Sequence, residues 1–377
     1  MTDRPPQPSN DAGQPPVRWR RAAWSLLAAL LAAGLWLIAA QFPERTETWY
    51  AEGVYPAIAR ALVALSGWLP FSLGETLLLT AIGAALVQGT RGAIAVLRRR
   101  RALGRTLARG FRTVLTFAAV VFTAFVLLWG LNHARRPFGE LAGLAPRPLT
   151  RAALLHTLDV LVQRAEAARP ADLDAEAPLP ADWRTWIGDA YAAAGARWPV
   201  LAGPRPVLRT PWISPLQTMA SITGVYSPFT GEPHVNGEIF GIQQLFTACH
   251  EVAHLRGFAR EDEANFIAWW IGSRADQPLL AYACHLQAAR YVREALRRLP
   301  GSDDPAVVKM LARTPKTLQD MLAIDRFWQR AQERPAARAV TRVATSTNDL
   351  YLRSSGHAEG TRSYGRMVDL LVAALAE

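Results

Sequence analysis

Three long apolar runs in the first third of the chain constrain its fold more than any other feature of the sequence. Residues 22–42 and 114–131 contain no charged side chain, and residues 70–89 contain only Glu75. At a rise of about 1.5 Å per residue, each run is long enough as a helix to cross a hydrocarbon core of about 30 Å. The sequence therefore predicts a membrane domain, residues 22–131, with three transmembrane helices.

The first run has an alternative interpretation as a cleaved signal peptide, because the basic residues Arg18, Arg20 and Arg21 directly precede it. Its apolar part is longer than the roughly 7–15 residues usual in such peptides, which favours a retained helix. Glu75 lies near one end of the second run and is interpreted as a solvated interfacial carboxylate without a functional role. The Pro-rich residues 1–21 are predicted to form a disordered cytoplasmic tail.

The distribution of arginine predicts the orientation of the chain in the membrane. The formal net charge is +11, and residues 1–131 carry fourteen Arg and no Lys against six acids. Eight of these Arg lie in a predicted loop, residues 91–112. By the positive-inside rule this loop and the N-terminus face the cytoplasm, so residues 132–377 lie on the periplasmic or extracellular side of a bacterial cytoplasmic membrane. The expected partner of the basic residues is the lipid bilayer, and we expect no nucleic-acid partner.

Residues 132–377 have the pattern of a mostly helical outer domain with one small β-sheet. Short apolar stretches separated by Pro, Gly, Thr and Ser predict strands and turns within residues 204–236. Helical periodicity is found before this region and again after it. The helices predicted after it are 237–256, 261–273, 279–298, 305–312, 315–332 and 364–376.

His250, Glu251 and His254 form an HExxH motif, the strongest functional signal in the sequence. On a helix, two His four residues apart project from one face and can bind one metal ion. The Glu between them is then placed to act as a general base that takes a proton from zinc-bound water. The alternative is a pair of hydrogen-bonded core histidines with a surface Glu. The largely apolar helix disfavours it, because charged residues are seldom buried without a partner.

A catalytic zinc site usually has three protein ligands and one open position, so a third ligand is required. The segment EDEAN, residues 261–265, begins the next predicted helix, whose first turn can face the metal if the helix folds back. Acids in a first turn also complement the helix dipole, which is an alternative explanation for each of them. Because Glu261 and Asn265 share one helix face, we predict Glu261 as the ligand, with Glu263 as the alternative.

The order HExxH followed by EDEAN resembles the HExxH and ExEAD motifs of membrane zinc metallopeptidases of the prenyl-protein endopeptidase and heat-shock types, which are gluzincins. The resemblance implies a zincin-like fold, a zinc cofactor, Glu261 as the third ligand and Asn265 as the side chain that supports a ligating His. Asn stands where that pattern has Asp, and only six residues separate His254 from Glu261. Glu263 therefore stays open as the ligand.

Four longer segments are PFSLGE at 70–75, GVYSPFTGEPHVN at 224–236, HEVAHLRGFAREDEANF at 250–266 and YLRSSGHAEGTRSYGRMVDLL at 351–371. Together they resemble a bacterial membrane family known only as a domain of unknown function with an HExxH motif. This resemblance covers most of the chain. It implies the fold and the metal site, but no substrate.

The residues just before the HExxH helix predict an edge strand at 232–236. An exposed strand can bind an extended peptide through backbone hydrogen bonds, so His234 and Asn236 are candidates for contact with a substrate. Asn236 has an alternative role as the N-cap of the following helix.

These features predict a membrane-anchored, zinc-dependent peptidase that acts on a protein or peptide at the membrane or in the cell envelope. One alternative is another zinc-dependent envelope hydrolase, and a second is a non-catalytic membrane scaffold whose zinc is structural. A structural site would have four protein ligands, in which Cys249 or Cys284 could take part. Whether these two cysteines pair stays open.

Overall fold

The structure is a computed structural model that describes residues 19–145, 147–299, 305–333, 335–354 and 366–375. Most of the predicted disordered tail, residues 1–21, lies outside these ranges. The described chain is mainly helical with one two-stranded sheet, as the sequence predicts. Three of its helices are long and apolar enough to cross a membrane, which confirms the three predicted spans.

The first five helices are α1 (Arg20–Gln41), α2 (Pro43–Thr46), α3 (Tyr55–Gly67), α4 (Leu73–Leu97) and α5 (Leu103–Leu128). The candidate spans are α1, α4 and α5. The predicted loop 91–112 differs from the structure, because α4 and α5 continue into it and leave only residues 98–102 between them. Arg is a good helix former, so a helix need not end where its apolar run ends. The N-cap of α4 is Ser72, whose Oγ accepts a hydrogen bond from the Glu75 backbone N–H.

The segment between α1 and α4 is helical rather than an open loop. It contains a π-helical stretch, Glu47–Val54, between α2 and α3. Tyr50 and Tyr55 are buried in one hydrophobic cluster with Trp129, Leu255 and Tyr226, which belong to the chain after α5. Helices α1 and α5 therefore share a core with the chain after α5, which the sequence predicts to be the outer domain.

The outer domain is a set of helices around the two strands. A 3₁₀ turn, Gly130–Ala134, follows α5. The elements after it are α6 (Phe138–Leu141), α7 (Arg151–Ala168), α8 (Trp183–Arg197), α9 (Ser214–Met219), β1 (Gly224–Ser227), β2 (Glu232–Val235), α10 (Gly241–Leu255), α11 (Glu261–Gly272), α12 (Pro278–Arg297), α13 (Pro305–Ala312), α14 (Pro315–Ala331), α15 (Pro335–Ser354) and α16 (Arg366–Leu375).

The helices predicted after the sheet all occur, with ends that differ by a few residues. Helix α15 is an addition that the sequence did not predict. Its run of Val and Thr residues has a lower intrinsic helix propensity than Ala or Leu, which weakened the helical signal.

The sheet is antiparallel, with Gly224 opposite Val235 and Val225 opposite His234. On its other side, β2 forms a bridge with Arg209, whose N–H donates to the Pro233 carbonyl. Among the described residues β2 is therefore the inner strand and β1 the outer one. Helix α10 packs against both strands and against α11 and α12, which places the HExxH helix at the centre of the domain.

Candidate metal centre

Helix α10 brings the two histidines of the motif together. His250 and His254 lie one turn apart, with their rings perpendicular and their Nε2 atoms 3.1 Å from each other. The rest of the helix is almost entirely buried against its neighbours, so these imidazoles occupy a fixed position. The helix ends before Gly257, whose φ of +81° is a conformation that favours glycine. The predicted end of this helix at residue 256 is therefore confirmed to within one residue.

Helix α11 folds back against α10 and presents Glu261 to the two imidazoles. One carboxylate oxygen of Glu261 is 3.2 Å from His250 Nε2, and the other is 3.8 Å from His254 Nε2. The close approach of the helices is possible because Ala264 and Ala268 are small and fully buried. The three side chains form a cluster that could hold a metal ion.

Glu263 lies away from this cluster. Its Oε1 accepts hydrogen bonds from the Phe138 backbone N–H at 2.9 Å and from the Arg260 guanidinium at 3.3 Å. Burial raises the pKa of Glu263 to about 7, although the charge of Arg260 acts in the opposite direction. Of the two candidate ligands that the sequence left open, the structure places Glu261 beside the histidines and gives Glu263 a structural contact with the start of α6.

The spacing of the three donor groups fits a small tetrahedral metal ion. Zinc bonds to His nitrogen and carboxylate oxygen are about 2.0–2.1 Å long, which separates neighbouring ligand atoms in a tetrahedron by about 3.3–3.4 Å. The two Nε2 atoms are 3.1 Å apart, and one Glu261 oxygen is 3.2 Å from His250 Nε2, while the 3.8 Å distance to His254 Nε2 is from the other Glu261 oxygen. Three protein ligands leave one tetrahedral position for a water molecule or a substrate.

The distal ring nitrogens of the two histidines have different surroundings. Nδ1 of His254 lies 2.7 Å from the Phe258 carbonyl, which fixes the ring and favours the tautomer with a free Nε2. Burial lowers the pKa of His254 to about 4, so the ring is neutral, as a metal ligand must be. For His250, the charge and hydrogen bond of Glu261 outweigh the effect of burial and raise the pKa.

Asn265, predicted to support a ligating His, is buried beside His250 and contributes to the rise of its pKa. His250 Nδ1 and Asn265 Nδ2 both lack a hydrogen-bond partner among the described residues. The contact between these two side chains therefore does not have the geometry of a full hydrogen bond. Oδ1 of Asn265 instead accepts a hydrogen bond from the Tyr291 hydroxyl at 3.2 Å. Tyr291, on α12, is a site residue that the sequence did not reveal, because a single Tyr carries no motif.

Glu251 is buried beside the candidate ligands and close to β1. A Cβ atom on Gly224 would come within 2.5 Å of the Glu251 carboxylate oxygen and within 2.5 Å of Thr247 Cγ2, so only glycine fits at this position. Burial raises the pKa of Glu251 to about 8, partly offset by His250 and reinforced by Glu261. A cation held by the neighbouring ligands would lower this pKa, because it would stabilise the carboxylate.

A cavity of about 770 Å³ opens in front of the cluster. His250, Glu251, His254 and Glu261 line it together with β1, which contributes Gly224 and its neighbours. Its other walls include the loops before and after β1, residues of α12 and α15, Phe125 near the end of α5, and Trp129 just after that helix.

The predicted substrate strand is not on the cavity side of the sheet. Both neighbours of β2 are occupied, by β1 and by Arg209, and all four of its residues are buried. His234 points to the membrane helices, with Nε2 2.7 Å from Ser72 Oγ and Nδ1 3.1 Å from the Val225 carbonyl. The expectation that 232–236 is an edge strand was therefore wrong, because the non-local pairing with Arg209 cannot be read from the local pattern.

Asn236 has neither of its predicted roles. Its side chain donates to Thr218 Oγ1 and to the Ile222 carbonyl, and accepts from the Glu238 N–H. It thus holds the loop before the sheet, while α10 begins only at Gly241.

The last turn of α10 is held by aromatic side chains from the membrane part of the chain. Nε1 of Trp129 donates to the His254 carbonyl at 3.0 Å, and the Tyr55 hydroxyl donates to the Leu255 carbonyl at 3.0 Å. Carbonyls in the last turn of a helix lack intrahelical partners, and the Tyr55 hydroxyl supplies a donor to the Leu255 carbonyl. The His254 carbonyl accepts from the Gly257 N–H as well as from Trp129. The position of His254 thus depends on the end of α5.

The two cysteines are free, buried thiols. Cys249 and Cys284 are in hydrogen-bonding contact behind α10, and burial, followed by that contact, raises the pKa of Cys284. Neither belongs to the three-residue cluster that could hold a metal ion.

A comparison with models of protein families gives a match over most of the chain. The model of a family described as a protein of unknown function, DUF3810, matches residues 50–372. No curated protein matches, and no solved structure matches. The matched range includes α3, the candidate spans α4 and α5, and the candidate metal centre.

Proposed function

The chain belongs to the DUF3810 family, whose function is unknown, and we propose from its site that it is a membrane-anchored, zinc-dependent peptidase. The observation that carries the proposal is the convergence of His250, His254 and Glu261 in one cavity beside a buried Glu251. Two of these residues come from the HExxH helix and the third from the helix packed against it.

His250, His254 and Glu261 would hold the zinc ion, and their neutral or carboxylate forms are those that zinc prefers. When bound, the ion would polarise a peptide carbonyl and lower the pKa of a water molecule beside it. The three-ligand set favours this chemistry over a structural zinc site, which usually has four protein ligands.

Glu251 is the proposed general base. It lies next to the first ligand in sequence and lines the same cavity, so its carboxylate can take a proton from water and pass it to the leaving amine. Its burial keeps competing solvent away, and its contact with Gly224 sets the direction of the carboxylate relative to β1.

The outer strand β1, rather than β2, is the proposed binding site for an extended substrate. The Thr223 carbonyl accepts from the Asn236 N–H, so in the antiparallel ladder Thr223 and Val225 face β2. The backbone groups of Gly224 and Tyr226 then face outward, and no other backbone group among the described residues bonds to them. A peptide could pair with this edge next to Glu251.

We propose the membrane orientation that the arginine distribution predicts, in which the cavity lies on the outer side of a bacterial cytoplasmic membrane. The basic residues between α4 and α5 lie at the end of these helices opposite to the cavity, since Phe125 and Trp129 at the other end of α5 line it. Another zinc-dependent envelope hydrolase would use the same ligands, and only the identity of the substrate separates the two activities.

The test is a comparison of the wild-type protein with Glu251→Gln in membranes of a producing bacterium. We expect both proteins to hold about one zinc per chain, and new peptide termini in envelope proteins to appear only with the wild type. A wild-type protein that holds zinc but generates no cleavage product from any envelope protein or peptide library would favour the scaffold alternative. Loss of zinc in Glu251→Gln would make Glu251 a ligand instead of a base.

A further inference from the structure

We propose that the cavity takes a peptide segment that directly adjoins a membrane-embedded apolar anchor. This rests on the proposed peptidase function and specifies its substrate class. The inference comes from the depth of the candidate metal centre relative to the membrane helices, and from the side chains on the rim of the cavity.

The candidate metal centre lies close to the end of a membrane span. Helix α5 ends at Leu128, and the ring of the next residue, Trp129, is 6.0 Å from the ring of His254. The polar headgroup layer on each side of a bilayer is about 5–8 Å thick, from a hydrocarbon core of about 30 Å and a total thickness of about 40–45 Å. A ligand so close to the end of α5 therefore lies within the headgroup layer or at its surface.

Hydrogen bonds at the start of the second span, α4, place the β-hairpin of the site at a similar depth. At the start of α4, the backbone N–H groups of Leu73 and Gly74 donate to the Glu232 carboxylate at 3.0 and 2.7 Å. The Glu75 carboxylate accepts from the N–H groups of Trp212 and Ile213 at 3.1 and 3.0 Å. The active-site hairpin is thus tied to the end of α4, and Glu75 is a bonded anchor rather than the solvated carboxylate that the sequence predicted.

Large apolar side chains are exposed at this level of the molecule. Trp212 is 85% exposed and Trp68 is 90% exposed, and Trp at such positions is typical of the membrane–water interface. On the rim of the cavity, Val225 is 44% exposed and Phe229 is 37% exposed. These side chains would contact lipid headgroups or acyl chains, so the mouth of the cavity faces the bilayer surface as well as water.

The depth limits which peptide bonds can reach the site. An extended chain covers about 3.3 Å per residue, so a bond held in or just above the headgroup layer is on the order of two to five residues from the hydrocarbon core. A folded soluble protein cannot place a loop there without entering the headgroup layer. A peptide next to an acyl chain or a transmembrane helix is already at that depth.

The first experiment measures depth and does not depend on activity. Phe229→Cys and, as a control, Gln277→Cys are labelled with an environment-sensitive fluorophore in liposomes that contain lipids with a nitroxide on the headgroup. Gln277 is exposed and lies roughly 20 Å along α12 from Tyr291, which lines the cavity. The native cysteines are fully buried, which limits background labelling. We expect strong quenching at 229 and little at 277. Equally weak quenching at both positions would overturn the proposal.

The second experiment compares presentations of one peptide. A mixed-sequence peptide is offered to the zinc-loaded protein in liposomes as a free peptide, with an amino-terminal acyl chain, and fused to a single transmembrane helix. We expect an at least tenfold higher cleavage rate for an anchored form, with the cut about two to five residues from the anchor, and no cleavage by Glu251→Gln. The two anchored forms distinguish a lipid anchor from a helical one.

Equal cleavage of the free peptide and the anchored peptides would contradict the proposed substrate class while supporting a peptidase. Absence of cleavage in every form, together with quenching at 229, would count against the peptidase function and leave the depth of the cavity established. The failure of the inference and the failure of the proposed function thus give different results.

Discussion

Two joints connect the membrane helices to the candidate metal centre, and they differ in chemistry. The α4 joint is polar: Glu232, His234 and Glu75 form hydrogen bonds between the first turn of α4 and the outer domain. The α5 joint is aromatic, because Trp129 and Tyr55 pack in an apolar cluster and donate hydrogen bonds to the end of α10.

The two joints also hold different parts of the site. The polar joint is attached to the hairpin, whose outer strand is the proposed substrate strand, while the aromatic joint is attached to the helix that carries both histidines. Helix α4 buries none of its own residues, whereas α1 and α5 pack against each other. The polar bonds are therefore the main attachment of α4 to the rest of the chain, besides its contacts with α5, whereas α5 is held mainly by packing. We expect damage to the first joint to affect substrate handling and damage to the second to affect metal binding.

The largest effect is expected at Glu232. Its carboxylate is fully buried and accepts hydrogen bonds from Leu73, Gly74 and the Arg209 guanidinium. Glu232→Ala would leave two N–H groups without their acceptor and would remove the carboxylate beside the partly buried Arg209 guanidinium, which keeps the Ser66 and Leu69 carbonyls as acceptors. The expected cost is on the order of 3 kcal/mol of folding free energy. Thermal unfolding in detergent measures this loss, and Glu232→Gln, which keeps one acceptor, should lose less. An unchanged melting temperature in Glu232→Ala would show that the polar joint does not hold the hairpin.

The next effect is expected at Gly224, where the hairpin meets the proposed base. Gly224→Ala would force a methyl group against the Glu251 carboxylate and Thr247, and overpacking of this kind costs about 1–3 kcal/mol. We expect hydrolysis to fall at least tenfold while zinc is retained. Gly83→Ala is the control, because it makes the same change at a helical position where an added Cβ meets no atom within 4 Å. Loss of zinc in Gly224→Ala would show that the strand supports the ligands and not only the base.

A smaller effect is expected at Trp129, in the aromatic joint. Trp129→Phe keeps most of the packing but removes the Nε1–H that donates to the His254 carbonyl, a loss of about 1 kcal/mol. The carbonyl keeps its hydrogen bond from the Gly257 N–H. Zinc affinity should weaken several-fold, whereas the KM for any cleaved peptide should change little. Trp68→Phe, at an exposed Trp, is the matched control. A change in KM without a change in zinc affinity would reverse the assignment of the two joints.

The parts of the fold that follow from local patterns could be predicted from the sequence. The spans follow from uncharged runs, α10 from its apolar residues, and the candidate ligand Glu261 from its position on the face that carries Asn265. Each of these depends on residues within a few turns of one another. The observed cluster of His250, His254 and Glu261 agrees with that reasoning.

The contacts between distant segments could not be predicted. The edge strand was assigned to 232–236 because nothing near it in sequence shows that Arg209 pairs with β2. Glu75 was read as solvated because its partners, Trp212 and Ile213, lie far along the chain. The sequence predicted a domain boundary at residue 132. Tyr55, Trp129 and the end of α10 form one core across that boundary, and this core exists only after folding.

The central claim is that His250, His254 and Glu261 form the metal centre, and zinc affinity in a matched pair of variants tests it most directly. Glu261→Gln and Glu263→Gln make the same chemical change two residues apart on one helix, and only Glu261 lies beside the histidines. We expect wild-type protein to bind about one zinc, Glu261→Gln to lose most of its affinity, and Glu263→Gln to keep it. Retention of zinc by Glu261→Gln together with its loss in Glu263→Gln would contradict the account and assign the metal to Glu263.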